Sequence, residues 1–398
     1  FFFTSDSNTT NLTGNITTTG GGAYGLFLDT SDSNTTNLTG NITTTGDGAY
    51  GMRLNGSDSN TTNLTGNITT SGGGADGILV GTSSNSNTVN ITGNFTISGA
   101  SSAAISLTNA GINNTVNLTG NVTHSGIGSH GIEVQSSDSN TVNWVGGMTS
   151  TNIGQHAILL NDSDSNTISM TGNINSTGLG STGIWIETGS ESNTINVTGD
   201  INVTGQNASG LYLRAGSDSN NITINGNIIT SGTDNNSEPI LLENSDSNTF
   251  TLSGAVYSLG GDQAIAVDAT SQNNTFTFER GASFIGGLEN NGGTTNKLIF
   301  DMGKASSYNL DFDDTSWTIQ DLHKPIVEGS AKSMGVADID NQAHILNRRM
   351  DPVNDVLSER QRLYKAGQRP TGYYIDSYYG HDKRDEDYSE ISGNAGGM

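Results

Sequence analysis

The segment Ser-Asp-Ser-Asn-Thr-Thr-Asn-Leu-Thr-Gly-Asn-Ile-Thr-Thr-Thr-Gly begins at Ser5 and again, unchanged, at Ser31. A near copy opens at Ser57, and weaker copies follow at Ser84, Ile112, Ser137, Ser163, Ser190, Ser217, Ser245 and Ser271. With the Asn of the S-x-S-N-T core as anchor, the units are marked by Asn8, Asn34, Asn60, Asn87, Asn114, Asn140, Asn166, Asn193, Asn220, Asn248 and Asn274. Successive anchors lie 26 to 28 residues apart. Repetition in near-fixed phase constrains the fold more than any motif, because one such unit buries its apolar face only by stacking on its neighbours. A disordered chain has no reason to keep phase.

The apolar positions say what each unit is. Four residues after the anchor stand Leu12, Leu38, Leu64, Ile91, Leu118, Trp144, Met170, Val197, Ile224, Leu252 and Phe278. Eight after it come Ile16, Ile42, Ile68, Phe95 and their counterparts down to Val256, and each unit closes on an i, i+2 pair such as Leu26/Leu28, Ile78/Val80 or Ile184/Ile186. Period-two spacing in segments rich in Thr, Ile and Val means strands. Turn residues separate them: the S-D-S-N run, a Gly-Asn step such as Gly14-Asn15, and a Gly cluster such as Gly20-Gly21-Gly22. The fold predicted is all-β: a right-handed parallel β-helix with three short strands per coil, coils ~4.8 Å apart. One inward column then forms the whole core, so a hydrophobic content of 31% suffices.

Composition removes several functions. No stretch of ~18 apolar residues is present to make a transmembrane helix, and a formal net charge of −24 disfavours a sequence-independent grip on nucleic acid, whose phosphates it repels. With no Cys, disulfide frameworks and thiolate metal sites are excluded.

Stacked side-chain amides donate one way and accept the other, so the anchor Asn column is expected to be a structural ladder, also suited to the left-handed geometry of a sharp turn. A second column runs through Asn15, Asn41, Asn67, Asn94, Asn121, Asn173 and Asn227. Asp6, Asp32 and Asp58 stack likewise, continued at Asp138, Asp164, Glu191, Asp218 and Asp246; an exposed turn column is favoured there over a bridging Ca²⁺. Asn11-Leu-Thr and its copies match a glycosylation sequon only because the repeat places Thr two residues after Asn. His130 and His156 share a position one coil apart, but no third ligand occupies it in adjoining coils. No G-x-S-x-G occurs; of the outward carboxylates Glu133, Asp162 and Glu187, the last two are one coil apart but offset by a residue and unsupported by a basic or aromatic cluster. Neither an enzyme nor a cofactor or metal site is expected.

The residue between each inward pair reads Phe27, Arg53, Leu79, Ser106, Glu133, Leu159, Trp185, Tyr212, Leu241 and Ala266 down the stack. Large apolar residues on a face that should meet solvent mark contacts with partners, and Phe27, Leu79, Leu159, Trp185 and Tyr212 are the candidate binding residues. The alternative is a loop or another chain covering the stripe as structure. Phe1-Phe2-Phe3 aligns with the same strand, so the chain is expected to begin inside a coil, with a cap and any signal peptide upstream.

After residue 296 the phase is lost, and twelve of the 15 Lys and Arg fall there. The expected organisation is a β-helix over 1–296, a closing cap over 297–340, a helical linker over 341–366 and the start of a membrane barrel over 367–398. The linker carries Ile345-Leu-Asn-Arg-Arg-Met350, then Asp351-Pro352 as a stop or fresh cap; Tyr373–Gly380 and Tyr388–Met398 alternate like barrel strands. This order resembles the type V autotransporters of Gram-negative bacteria, whose β-helix passenger, autochaperone-like cap, pore-spanning helix and outer-membrane barrel follow in the same sequence. The similarity to the linker helix rests on Ile345–Met350. Members that release their passenger cleave between two Asn in that helix, where this chain has His344-Ile345 before Leu346, which implies a tethered passenger.

The resemblance implies export through the chain's own barrel, with the outer membrane and the barrel-assembly machinery as partners of the C-terminal region. It places the passenger outside the cell, as a structural or adhesive rod that meets a host or neighbouring-cell surface or associates with itself. The alternatives are a secreted solenoid fibre subunit and a β-helix polysaccharide hydrolase or lyase. The near-uniform coil lengths leave little room for the groove-walling loops that the hydrolase needs.

Overall fold

The computed structural model describes residues 2–301 apart from 110, 235, 261, 262 and 294, together with 308–310, 317–322, 326–328 and 333–336. The chain divides into two units, Phe1–Gly303 with Asp313–His323, and Lys304–Phe312 with Lys324–Met398. In the second, Tyr308–Leu310 pairs parallel with Ile326–Glu328 and antiparallel with Ser333–Val336. The expected linker helix over 341–366 and barrel strands over 367–398 lie outside the described residues.

The first unit is an all-β parallel solenoid with three strands per coil, and among its described residues there is no helix. The first strand of a coil begins one residue after the anchor Asn, as in Thr9–Thr13 and Thr88–Thr92; the second follows the Gly-Asn step, as in Ile16–Thr18; the third carries the i, i+2 pair, as in Leu26–Asp29 and Ile184–Glu187. Like strands pair one coil apart in parallel register, Leu12 on Leu38, Ile42 on Ile68, Leu54 on Val80. The first sheet has 13 strands and the third 12. Beyond residue 296 the first sheet continues through Lys297–Asp301 and Thr318–Asp321, where Trp317 is buried, meets Phe276 edge-on at 5.6 Å and donates its indole N–H to the Leu288 carbonyl at 2.9 Å.

From Leu26 onward the expected inward positions are buried, while Leu12 in the first coil is 43% exposed. A further column joins them, two residues after the anchor. It runs from Thr36 and Thr62 through Val89, Val116, Val142, Ile168, Ile195 and Ile222 to Phe250 and Phe276, which stack at 4.6 Å. The core therefore changes along its axis from threonine to aliphatic to aromatic. At the early end the hydroxyls of Thr36, Thr44, Thr62 and Thr70 are buried without a hydrogen-bond partner, an arrangement that costs free energy relative to a methyl group. His124 takes the position of Ile97 in the next coil and is fully buried. Burial, with a smaller push from His130, lowers its pKa to about 3 against a counter-pull from the Ser129 backbone; it is a neutral core side chain.

The left-handed residue of the S-D-S-N turn is the Ser before the anchor, Ser7 (φ 59°), Ser33 (59°) and Ser59 (57°), and not the anchor Asn as expected. The anchor carbonyl already accepts the first ladder N–H of the next coil, Asn8 from Thr35 at 2.8 Å, so its backbone is committed to the strand and the reversal falls one residue earlier. At the Gly-Asn step, Gly40 has φ 148°, and a Cβ there would lie 2.1 Å from the Gly14 carbonyl oxygen. Only glycine fits both demands.

The anchor asparagines form the expected ladder. Asn34 Oδ1 accepts the Asn8 backbone N–H (2.8 Å) and side-chain amide (3.0 Å), and the same pair of bonds joins Asn60 to Asn87 (2.9 and 3.1 Å). Most of the amides also reach back to the preceding coil, as Asn60 does to the Ser31 carbonyl at 2.7 Å, while those of Asn8 and Asn140 donate within their own turn, to Asp6 and Asp138. The ladder extends one coil past the repeat: Asn296 accepts from Asn274 at 2.8 Å across a shortened 22-residue unit. From Asn34 to Asn274 the anchors are buried. Two outer columns run in the opposite sense, with Asp32 accepting the Asp58 N–H at 2.7 Å and Asn41 the Asn67 N–H at 2.8 Å. Asp200 completes the second Asn column between Asn173 and Asn227.

Candidate functional site

The three faces of the solenoid differ in how far their sequences vary. On the first sheet, outward residues repeat from coil to coil, Thr35 on Thr61, Asn37 on Asn63, Thr39 on Thr65, Asn90 on Asn117. On the third sheet the outward column runs through Phe27, Arg53, Leu79, Ser106, Glu133, Leu159, Trp185, Tyr212, Leu241 and Ala266, each in register with the next. The backbone is uniform and one face is diverse.

This face is less open than the sequence suggested. Phe27 and Leu159 are buried, at 9% and 8% exposure, while Leu79, Trp185 and Tyr212 are half-buried. The cause is the turn before each third strand, whose side chains lean over the column. Tyr24 meets Phe27 edge-on at 4.8 Å and stacks on Tyr50 at 5.4 Å, and the Arg53 guanidinium lies 5.3 to 5.6 Å from all three rings while donating to the Tyr24 hydroxyl at 2.7 Å. Phe27 thus belongs to a cation-aromatic cluster at one end. Leu159, Trp185 and Tyr212 are consecutive further along, with Leu79 separated from them by Ser106 and Glu133.

Between the two ends, turn side chains accept backbone amides from the following coil. The Asp76 carboxyl accepts the Ala103 N–H at 2.7 Å, His130 Nδ1 the His156 N–H at 3.3 Å, and His156 Nδ1 the Thr182 N–H at 3.1 Å. An imidazole that accepts on Nδ1 carries its proton on Nε2 and is neutral. The two rings stack at 5.2 Å, 6° from parallel, and His156 meets Trp185 edge-on at 4.4 Å. Burial lowers the His130 pKa to about 4; burial and the neighbouring histidines hold His156 well below its ordinary value. Burial pushes the Asp76 carboxyl up to about 8 and raises Glu133. Among the described residues no three His, Asp or Glu side chains converge as a metal ion requires.

Next to this segment is a cleft of about 290 Å³ lined by Thr182, Trp185, Asn207, Tyr212, Arg214 and Glu243, among others. The Trp185 and Tyr212 rings lie 5.0 Å apart at 50°. The Arg214 guanidinium sits 5.7 and 5.9 Å from them, with its Nε 3.7 Å from a Glu187 oxygen. The Tyr212 hydroxyl donates to the Glu243 carboxylate, and burial together with that carboxylate raises its pKa. Of the five candidate residues, the structure gathers Trp185 and Tyr212 into this cleft. Arg214, Glu243 and Asn207 escaped the sequence reading because they come from the strand end of two coils and from a turn. Beside it, Ile127, Ile153 and Leu179 project from successive turns, 57%, 51% and 45% exposed.

No protein-family model, curated protein or solved structure matches the chain.

Proposed function

We propose that the solenoid is a non-catalytic adhesive rod, the passenger of an autotransporter, displayed at the cell surface. It contacts a host or neighbouring cell, or its own copies, through the outward face of the third sheet. The observation that supports this most is the uneven spread of sequence: the first sheet keeps Thr and Asn on its outward face coil after coil, while the third presents aromatic, aliphatic, acidic and basic side chains in turn. Stacked repeats use such a varied surface for recognition and the uniform remainder as scaffold. Export through a C-terminal barrel, with the outer membrane and the barrel-assembly machinery as partners, rests on the resemblance of residues 341–398.

Nearest-neighbour hydrogen bonding fits this route, because each folded coil presents the acceptors that order the next. Adherence of Gram-negative cells expressing the gene, with Phe27, Leu79, Leu159, Trp185 and Tyr212 changed to Ser, tests the reading. Loss of adherence at undiminished surface protein is expected, while Asn63→Ser with Asn90→Ser on the first sheet leaves it intact. Unchanged adherence of the five-residue variant would sink it.

A further inference from the structure

We infer that the cleft around Trp185 and Tyr212 binds an uncharged saccharide. This rests on reading the third-sheet face as a binding face, and names what that face recognises. At about 290 Å³ the cleft sits at the lower end of small-molecule sites, roughly 300 Å³, room for a terminal sugar unit and too little for a folded peptide. Two aromatic rings from neighbouring coils line it, 5.0 Å apart, and aromatic surface suits the C–H side of a pyranose. Around them stand donors (Arg214, the Asn207 amide, the Thr182 hydroxyl) and a carboxylate acceptor, Glu243. A saccharide is the ligand whose own surface interleaves C–H faces with hydroxyls that both donate and accept.

Charge narrows the choice. The lining carries one carboxylate, Glu243, against one guanidinium, Arg214, and Glu187 pairs with that guanidinium from outside the lining; with the chain as a whole at −24, phosphate, sulfate and sialic acid are repelled. A cationic ligand would meet the Arg214 guanidinium, which stands 5.7 and 5.9 Å from the two ring centroids and is held by Glu187. The Tyr212 ring is fixed in advance by its bond to Glu243, and Trp185 by its edge contact with His156. Little order is lost when a ligand arrives.

The test applies the whole chain to an array of defined neutral, sialylated and sulfated oligosaccharides, then titrates the best neutral compound by tryptophan fluorescence and calorimetry. Neutral binding is expected. It should weaken by at least about tenfold, 1.4 kcal/mol, in Trp185→Ala and in Arg214→Ala with circular dichroism unchanged, and stay within about threefold in Asn63→Ser on the first sheet. Binding only to acidic glycans, no binding at millimolar neutral sugar, or undiminished affinity in folded Arg214→Ala each overturn the assignment. If the array stays silent while the five-residue variant abolishes adherence, the ligand class falls and the adhesive reading stands; if adherence also persists, both fall.

Discussion

The side-chain oxygen of Asn193 accepts two hydrogen bonds from Asn166, from its backbone N–H at 2.8 Å and its amide at 3.2 Å, inside a turn where neither residue meets solvent. Truncating one member of such a pair strands donors rather than merely removing a bond, and each stranded buried donor costs about 1–3 kcal/mol. Asn193→Ala should destabilise the solenoid by roughly 2–4 kcal/mol in urea unfolding. Asn193→Asp keeps the acceptor but buries a charge, so its deficit should be larger at pH 7 than at pH 4. Equal deficits at the two pH values would contradict the buried environment.

The threonine end of the core is open to improvement. Thr62 occupies the position filled by Val89 and Val116 in the following coils, and its buried hydroxyl has no partner. Thr62→Val should add about 1 kcal/mol, visible as a raised denaturation midpoint. A lowered midpoint would mean that the hydroxyl is satisfied in solution.

Acid should weaken the third-sheet face. His130 and His156 must be neutral to accept backbone N–H groups, and their folded pKa values are depressed below the ordinary 6.5, His130 to about 4. Above pH 6.5 neither state binds the proton and nothing is lost. Between about 6.5 and 4 the unfolded chain takes up protons that the folded one refuses, so stability declines through that window. The groups around the pair are His124, Asp76, Glu133 and Trp185, none of which carries a positive charge there at neutral pH. His130→Asn with His156→Asn keeps an acceptor at both sites, and should remove a loss on the order of 1–3 kcal/mol between pH 6.5 and 4 in thermal melts.

Asp76 works in the opposite direction. Its pKa is pushed up to about 8, so the folded state favours the protonated acid. Its contribution is full below the unfolded value near 3.8 and is lost as pH rises through 8. Asp76→Asn retains the oxygen that meets the Ala103 N–H and should stabilise the protein at pH 7 by about 1 kcal/mol or more, with no gain at pH 3. A destabilised Asn variant at pH 7 would show that the carboxylate is charged and solvated.

How much of this was legible depended on whether polarity tracked position. The anchor Asn, the apolar residues four and eight places after it and the i, i+2 pairs declared themselves, because there residue type and burial agree. The column two places after the anchor did not, since its first members are Thr10, Thr36 and Thr62, which read as surface. Asn296 was missed because its unit is four residues short of the shortest other repeat, and the fixed phase that revealed the ladder hides its last step. Register alone brought Trp185 beside Tyr212. The cleft they form with Arg214 and Glu243 needed side-chain directions, which spacing does not encode.

Every ladder bond joins a coil to the one before or after it, and none reaches further. Excising or duplicating a whole 26-residue unit, Ser31 to Gly56 for example, would leave each surviving turn with the partners it has now, whereas a residue added inside a strand would put that strand out of step; the units of 27 and 28 residues take their extra residues in turns. In such a gene, recombination between near-identical units is tolerated where insertion within a strand is not. The number of coils is then free to drift among descendants while the cleft around Trp185 and Tyr212, confined to a few of them, is inherited unchanged.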